Sequence, residues 1–444
     1  MHRSPARPSA VTEARVAAAA VCADLRAGDL LDPAFERRAA RLDARDRRWL
    51  RELLYGMLRR RAWIDAVLDA RVRTGLARVH ADVLDLMRLG TYQLLAMGSV
   101  PAYAAVAQTV ELAKRAHGIG AAKFVNAVLR RVDRERAELG VVLPEDAVEA
   151  LALETSHPAW LVQRWLARFG PEETRRLLDA NNAEAPLIAR PVGVTTAQLA
   201  AAFEDAGVSV ERAPLLDDSL VLTGGLSSLT ELGAFQKGLF HLQDPASTLV
   251  TRYASVPEGG TVADLCAAPG GKAVELARTA GMVAASDVSP GRLARVRENV
   301  RRLRTTNVLP YVADARHPAA RPVDAVLVDV PCTGTGTFRR HPDARWRLRT
   351  SDLSLLGMLQ RQILRAAASV VKPGGILVYS TCSLEPEEND EPVDAFLADH
   401  SEWRLEPPPA DAVPAAVLDG GRLRVLPQRH GTDGAFAARL RRAA

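Results

Sequence analysis

From about residue 259 onward, short apolar runs alternate with helix-patterned segments, and this alternation narrows the possible folds more than anything else in the chain. Thr261–Cys266, Met282–Asp287, Val308–Asp314, Val323–Asp329 and Ile376–Thr381 read as buried strands, and Ala435–Leu440 as a closing strand. Between them lie three helical segments: Lys272–Ala280, a helix opened by Ser289 and Pro290 and running to Arg304, and Ser351–Val371. A Ser cap followed by Pro in the first turn is a strong helix start. Strands separated by helices must cross over to pair in parallel. The pattern therefore predicts a doubly wound, Rossmann-like α/β domain built on a mostly parallel sheet. In such sheets ligands bind beyond the carboxyl ends of the strands.

The residues with chemical potential fall at those ends. Asp264-Leu265-Cys266-Ala267-Ala268-Pro269-Gly270-Gly271-Lys272 links the first strand to its helix. Its glycines let backbone approach a nucleotide-like ligand. It is not a phosphate-binding loop of the G-x-x-x-x-G-K-[ST] type. Cys266 stands where the first Gly belongs, and Ala273 replaces the metal-binding hydroxyl. It is not G-x-G-x-x-G either, which speaks against a nicotinamide dehydrogenase. Asp287, Asp314 and Asp329 end the second, third and fourth strands. An acid after the second strand is placed to accept hydrogen bonds from ribose hydroxyls, and Asp314 could accept from an adenine amino group. Any one of them alone would pass for a solvated loop acid; three in register suggest an adenosine site.

Two of the four cysteines sit just past strands expected to be neighbours. Cys332 lies in Asp329-Val330-Pro331-Cys332-Thr333-Gly334-Thr335-Gly336, and Cys382 in Ser380-Thr381-Cys382-Ser383. A buried cysteine is usually an inert small hydrophobe, but two at converging loops beside an acid suggest chemistry. The reaction that fits is methylation at carbon 5 of a pyrimidine. That carbon is a weak nucleophile until a thiolate adds to carbon 6, which splits one hard step into two easier ones. A carboxyl group against the ring's N3 and exocyclic amine would stabilise the adduct. The chemistry alone leaves open which cysteine attacks.

The first third of the chain differs in kind. Residues 14–21, 45–61, 63–71, 79–97, 102–116 and 123–136 carry helical apolar spacing without strand alternation. Residues 1–140 hold 25 Lys/Arg against 16 Asp/Glu, and the remainder 33 against 37. A basic helical segment suggests a polyanion-docking domain, although an Arg- and Ala-rich composition could produce the same imbalance. The expected domains are 1–140, all helical; 150–235, a small α+β module; and 236–444, the α/β domain.

DLCAAPGGK, DVPCTGTG and STCS, followed by Leu384-Glu385-Pro386-Glu387-Glu388-Asn389, closely resemble the signature motifs of the RNA cytosine-5 methyltransferases of the NOL/NOP/Sun family. Arg45-Asp46-Arg47, Tyr55-Gly56-Met57-Leu58-Arg59, Ala104-Ala105-Val106 and Phe124–Arg131 resemble a NusB-type RNA-binding domain. Together they imply a bacterial 16S rRNA cytosine-5 methyltransferase using S-adenosylmethionine. The resemblance assigns Cys266, Ala267, Ala268, Pro269, Gly270, Gly271 and Lys272 to the donor loop, Asp287 to the ribose and Asp314 to the adenine. It places Asp329 between reactive methyl and base. Cys382 becomes the nucleophile and Cys332 the group that assists product release. Arg339-Arg340-His341-Pro342-Asp343 is expected to touch RNA or shape the site. Gln243, Asp244 and Ser247 are expected at the pocket floor.

Composition removes other classes. At 48% hydrophobic and 25% charged, the 444 residues are ordinary globular material rather than a disordered chain. Charges interrupt every apolar run before about 18 residues, so no membrane span is expected. The start, MHRSPARPSAVTEAR, lacks the apolar stretch of a signal peptide, so a cytoplasmic protein is expected. Cys22, Cys266, Cys332 and Cys382 form no C-x-x-C pair, so neither a disulfide framework nor a metal site is expected. A monomer acting on 16S rRNA is the reading carried forward. The alternatives are the same reaction on another RNA, such as tRNA, or a non-catalytic RNA-binding assembly factor.

Overall fold

The computed structural model describes residues 11–226 and 228–444. The first ten residues, part of the stretch read above for a signal peptide, lie outside the described residues. The chain divides into two units. One reaches to Asn182 and takes in His341–Arg347; the other comprises Ala183–Arg340 and Leu348–Ala444.

The first unit is helical. Its helices are Glu13–Arg26, Leu31–Ala39, Ala44–Arg59, Arg61–Asp69, Ala81–Ala96, Ala102–Arg134, Ala147–Thr155 and Ala159–Asn182, with shorter turns between. Ala44–Arg59 shows why. Leu50, Leu53, Leu54, Met57 and Leu58 fall at helical spacing and are all buried. The Asp43 carboxylate caps the helix by accepting from the Asp46 amide at 2.8 Å. The helix Leu31–Ala39 was not legible in the pattern, because it is short and carries Pro33. Proline is tolerated in a first turn, where no intrahelical N–H is needed.

The second unit holds two sheets. In the smaller, β1 (Leu187–Pro191), β2 (Ser209–Ala213), β3 (Leu216–Gly224) and β4 (Phe240–Leu242) pair antiparallel in the order β2-β3-β1-β4. The helix Thr196–Glu204 closes its core through Leu199 and Phe203.

The larger sheet carries the site. Its centre is β5 (Thr261–Asp264), β6 (Met282–Asp287), β7 (Val308–Val312), β8 (Val323–Asp329) and β9 (Val371–Thr381). These run parallel in the order β7-β6-β5-β8-β9. Four further strands are added antiparallel at the β9 edge: β10 (Trp403–Leu405), β11 (Leu418–Asp419), β12 (Arg422–Val425) and β13 (Ala435–Arg442). The sheet is therefore mixed, with a parallel doubly wound core. Successive residues of β8 pack on opposite sides. Ala325 and Leu327 join one core with Leu249, Leu293 and Val296, while Val326 and Val328 join the other with Ile363, Leu364 and Ala367. Strands buried on both faces read as unbroken apolar runs, and each fully buried Val or Leu contributes about 2 kcal/mol. Among the described residues, no helix is long and apolar enough to cross a membrane.

Candidate active site

The chain runs outward from β5 through β6 to β7, then returns to place β8 on the other side of β5. A crevice opens at such a reversal, beyond the carboxyl ends of the strands. Here it is a cavity of about 460 Å³ whose walls include Cys266, Ala268, Asp287, Asp314, Asp329, Cys332 and Cys382. Leu359 and Ile363, from the helix Thr350–Ser369, close one side. A mostly apolar cleft of this size with a few converging polar groups suits a small organic ligand.

The loop after β5 is held close to the sheet. Ala267 donates its amide to the Ser286 carbonyl at 2.8 Å, and the Asn299 side chain donates to the Pro269 carbonyl at 3.0 Å. Gly270 has φ +104°, a conformation that suits glycine, and a Cβ there would meet Val296 at 3.1 Å. Cys266 and Ala268 face the cavity, whereas Ala267 packs into the core. Burial pushes the Cys266 thiol up. Lys272 turns away from the loop and donates to Asp329 at 2.7 Å.

The acids differ in their surroundings. Asp287 is buried, accepts from the Ser289 amide at 3.0 Å and has Arg292 at 3.5 Å. Asp314 is engaged by Arg316, whose hydrogen bonds hold the carboxyl down to about 2. Asp329 accepts from the Ser380 hydroxyl at 2.8 Å on one oxygen and from Lys272 on the other. Burial works against the Lys272 charge, but Asp329, and with it Cys382, holds the ammonium above its ordinary value. Behind the loop, Asp264 is fully buried and, among the described residues, no side chain hydrogen-bonds either carboxyl oxygen. Burial pushes it up to about 7.

The two cysteine loops meet. Cys332 Sγ and Cys382 Sγ lie 3.3 Å apart, both half-buried. Gly336 donates its amide to the Cys382 carbonyl at 3.0 Å, and Gly434 donates to the Gly336 carbonyl at 2.7 Å. Thr335 accepts from the Leu384 amide at 2.8 Å. Three loops are thus stitched together by backbone and hydroxyl groups. The Cys332 thiol is pushed up, first by its hydrogen bond with Cys382, then by burial and neighbouring negative charge.

The motifs have the same company in known proteins. Residues 254–441 match the model of the 16S rRNA methyltransferase RsmB/F family, residues 12–134 that of the NusB family, and residues 157–228 that of the RsmF/B-like ferredoxin-like domain. The ribosomal RNA small subunit methyltransferase B of Vibrio cholerae is 36% identical, over 89% of this chain and 89% of its own. That of Pseudomonas putida is 34% identical, over 96% of this chain and 98% of its own. The chain belongs to the RsmB/F methyltransferase family. The crystal structure of PH0851 superposes with a TM-score of 0.81 at 27% identity, covering 99% of this chain and 100% of that one.

The flanking residues of this RsmB/F chain have structural partners. Arg339 and Arg340 are both paired with Asp244 and Asp433, so they knit the fold behind the site. Asp244 also caps the helix Pro245–Ala254, and Gln243 lies against Gly271 and donates to Ser247. Gln243 thus backs the donor loop, and Gln243, Asp244 and Ser247, expected at the pocket floor, are not among the residues that line the cavity. His341–Arg347 belongs to the helical unit, where Trp346 donates to the Leu58 carbonyl at 2.8 Å. Among the described residues, the one His/Cys/Asp/Glu cluster dense enough for a metal ion is His80, Asp82 and His117 of that unit, where Asp82 is already paired with Arg26. Sequence reasoning missed Ser380 as the partner of Asp329, and also Gln360 and Glu388. Ser380 and Glu388 lay within quoted motifs; nothing in the sequence marked Gln360.

Proposed function

We propose that this protein transfers a methyl group from S-adenosylmethionine to carbon 5 of a cytosine in 16S rRNA, through a covalent bond between Cys382 and carbon 6. The observation that carries this reading is the pair of thiols 3.3 Å apart on the wall of the same cavity as Asp287, Asp314 and Asp329.

The residues suit the donor. Asp287 offers carboxylate oxygens at the position where ribose hydroxyls are bound in related sheets. Val288, Ala315 and Pro331 supply apolar wall beside it. Bound there, S-adenosylmethionine supplies an electrophilic methyl group. The protein does the rest. The Cys382 thiolate adds to carbon 6 and makes carbon 5 nucleophilic. Asp329, oriented by Ser380 and Lys272, accepts from the ring's exocyclic amine and positions the base, and the Lys272 ammonium beside it offsets the negative charge that the addition puts on the ring. After methyl transfer a water molecule takes the carbon-5 proton, the electron pair of that bond re-forms the carbon 5–carbon 6 double bond, and Cys382 leaves carbon 6 as a thiolate, a release that Cys332 assists. The base must leave its stack to expose carbon 6, so an unpaired cytosine is favoured.

Bisulfite sequencing of rRNA from cells with and without the gene tests the assignment. One cytosine in 16S rRNA should lose its methyl group. An unchanged 16S pattern with a lost methyl group in another RNA would move the substrate, and no change in any RNA would refute the activity.

A further inference from the structure

Glu388 lies in the segment Leu384–Asn389, to which the reaction above gives no task. Its side chain is fully buried. Among the described residues, no Lys, Arg or His forms an ion pair with it. Three donors serve it instead. The Thr333 amide donates to Oε1 at 2.9 Å, the Thr333 hydroxyl to Oε2, and the Gln360 side chain to Oε1 at 2.9 Å. The same Gln360 amide also donates to the Pro331 carbonyl at 2.9 Å. Both neighbours of Cys332 are therefore tied to this one carboxylate. The other cysteine is held by the next residue, since Asn389 donates to the Ser383 carbonyl at 2.9 Å and accepts from the Thr381 hydroxyl at 2.5 Å.

Hydrogen bonds alone do not require a charge at Glu388, because a glutamine could fill the same space and accept from two of these donors. A buried anion without a counter-cation is costly, which directs attention to what its field does. Cys332 is one group that this charge acts on. The groups that face it are Cys382 beyond the end of β9, Tyr379 on β9, Asp329 on β8, and Glu388 itself. Arg361, on the helix Thr350–Ser369, bears on Tyr379. The Lys272 cation pairs with Asp329 and interacts electrostatically with Cys382. One sulfur thus has a cation as its neighbour and the other an uncompensated anion.

We propose that Glu388 is a positioning residue that divides the labour of the two cysteines: it fixes the loop bearing Cys332 and, by its negative charge, keeps that sulfur from competing as a nucleophile, leaving the attack to Cys382. The upward push on the Cys332 thiol has the same sense, with the charge of Glu388 among its causes after the bond to Cys382 and burial. This rests on the nucleophile assignment above, but its first test does not.

The test is peptide-resolved alkylation of the full chain with iodoacetamide across pH, in a Cys382→Ala background so that Cys332 titrates alone. Glu388→Gln should lower the alkylation midpoint of Cys332 by about one pH unit and leave Cys22 and Cys266 unmoved. Glu388→Asp, which keeps the charge, should stay near the parent. If Glu388→Gln melts early, Gln360→Met provides the second arm. It loosens the loop without removing the charge, so the Cys332 midpoint in the Cys382→Ala background should hold, while in the protein that retains Cys382 a covalent RNA species accumulates and kcat falls with KM unchanged within about twofold. A Cys332 midpoint indifferent to Glu388→Gln in a folded protein overturns the charge role. A Gln360→Met enzyme with wild-type turnover overturns the loop role. Because alkylation needs neither RNA nor methyl donor, failure of the charge role is separable from failure of the cytosine reading; the loop arm is read only against a wild type that turns over, so its failure is separable too.

Discussion

Cys332 and Cys382 share one cavity wall but have different neighbours, and that difference predicts different mutant behaviour. Cys382→Ala should abolish methylation and leave no covalent complex. Cys332→Ala should still attack, then stall as an enzyme–RNA species that survives a denaturing gel with labelled RNA. The opposite pattern would make Cys332 the nucleophile. Asp264 offers a second, structural signature. Its buried carboxyl sits at about 7 in the folded chain, against about 3.9 for a free Asp. The native state therefore keeps a proton that the unfolded chain releases. Stability is full below about pH 4 and declines as pH rises through the folded value, by up to about 4 kcal/mol for three units. Asp264→Asn removes this titration. Urea unfolding from about pH 5 to 8 should then show the variant gaining on wild type as pH rises; parallel profiles would contradict the assignment. At this scale the sequence was informative about residue types and poor on partners. Lys272 and Asp329 are 57 positions apart, and Gln360 and Glu388 are 28 apart. Nothing local in either stretch announces the other.

Among the elements, the loops after β8 and β9 and before β13 act as one body. The reason is backbone proximity at Gly336, where a Cβ would come within 2.7 Å of the Cys382 carbonyl oxygen and of Gly434 Cα. Backbone on both sides cannot swing aside as a flexible side chain would. Gly336→Ala should therefore cost about 1–3 kcal/mol of stability, as overpacking does. It should also lower kcat by more than about tenfold, since small displacements of reacting groups are expensive. Thermal melting and methyl-transfer rates check the two effects, and a variant with both unchanged would show that the loops are not stitched. The parallel core strands were legible because burial on both faces leaves unbroken apolar runs: Met282–Asp287 and Val323–Asp329 have the expected bounds. The short strands β2, β4, β10, β11 and β12 were not, because two to five residues with a solvated face carry too little pattern. The helix Ala147–Thr155 begins in the gap between the domains expected at 1–140 and 150–235.

For the molecule as a whole, the remaining feature is its charge distribution. Residues 1–140 hold 25 Lys/Arg against 16 Asp/Glu, while the rest of the chain is slightly acidic. Part of that excess is spent internally: Arg37 and Arg38 pair with Asp24, and Arg88 with Asp65 and Asp85. Lys114, Lys123 and Arg134, in contrast, are exposed on the helix Ala102–Arg134. If such side chains meet RNA phosphates, each contact releases a counterion, and affinity falls linearly in log–log form with salt. Binding of the full chain to a 16S rRNA fragment should therefore show a steep negative slope. Replacing Lys114, Lys123 and Arg134 by Gln should flatten it by up to about two units and weaken binding to unrelated RNA equally, because phosphate contacts carry no sequence information. The same variant should raise KM and leave kcat nearly unchanged, since it touches neither the cysteines nor Asp329. A slope that stays the same after the substitutions would place the RNA on another face of the protein. Binding indifferent to salt from the start would mean that the arginine excess reflects the chain's composition and contributes nothing to docking.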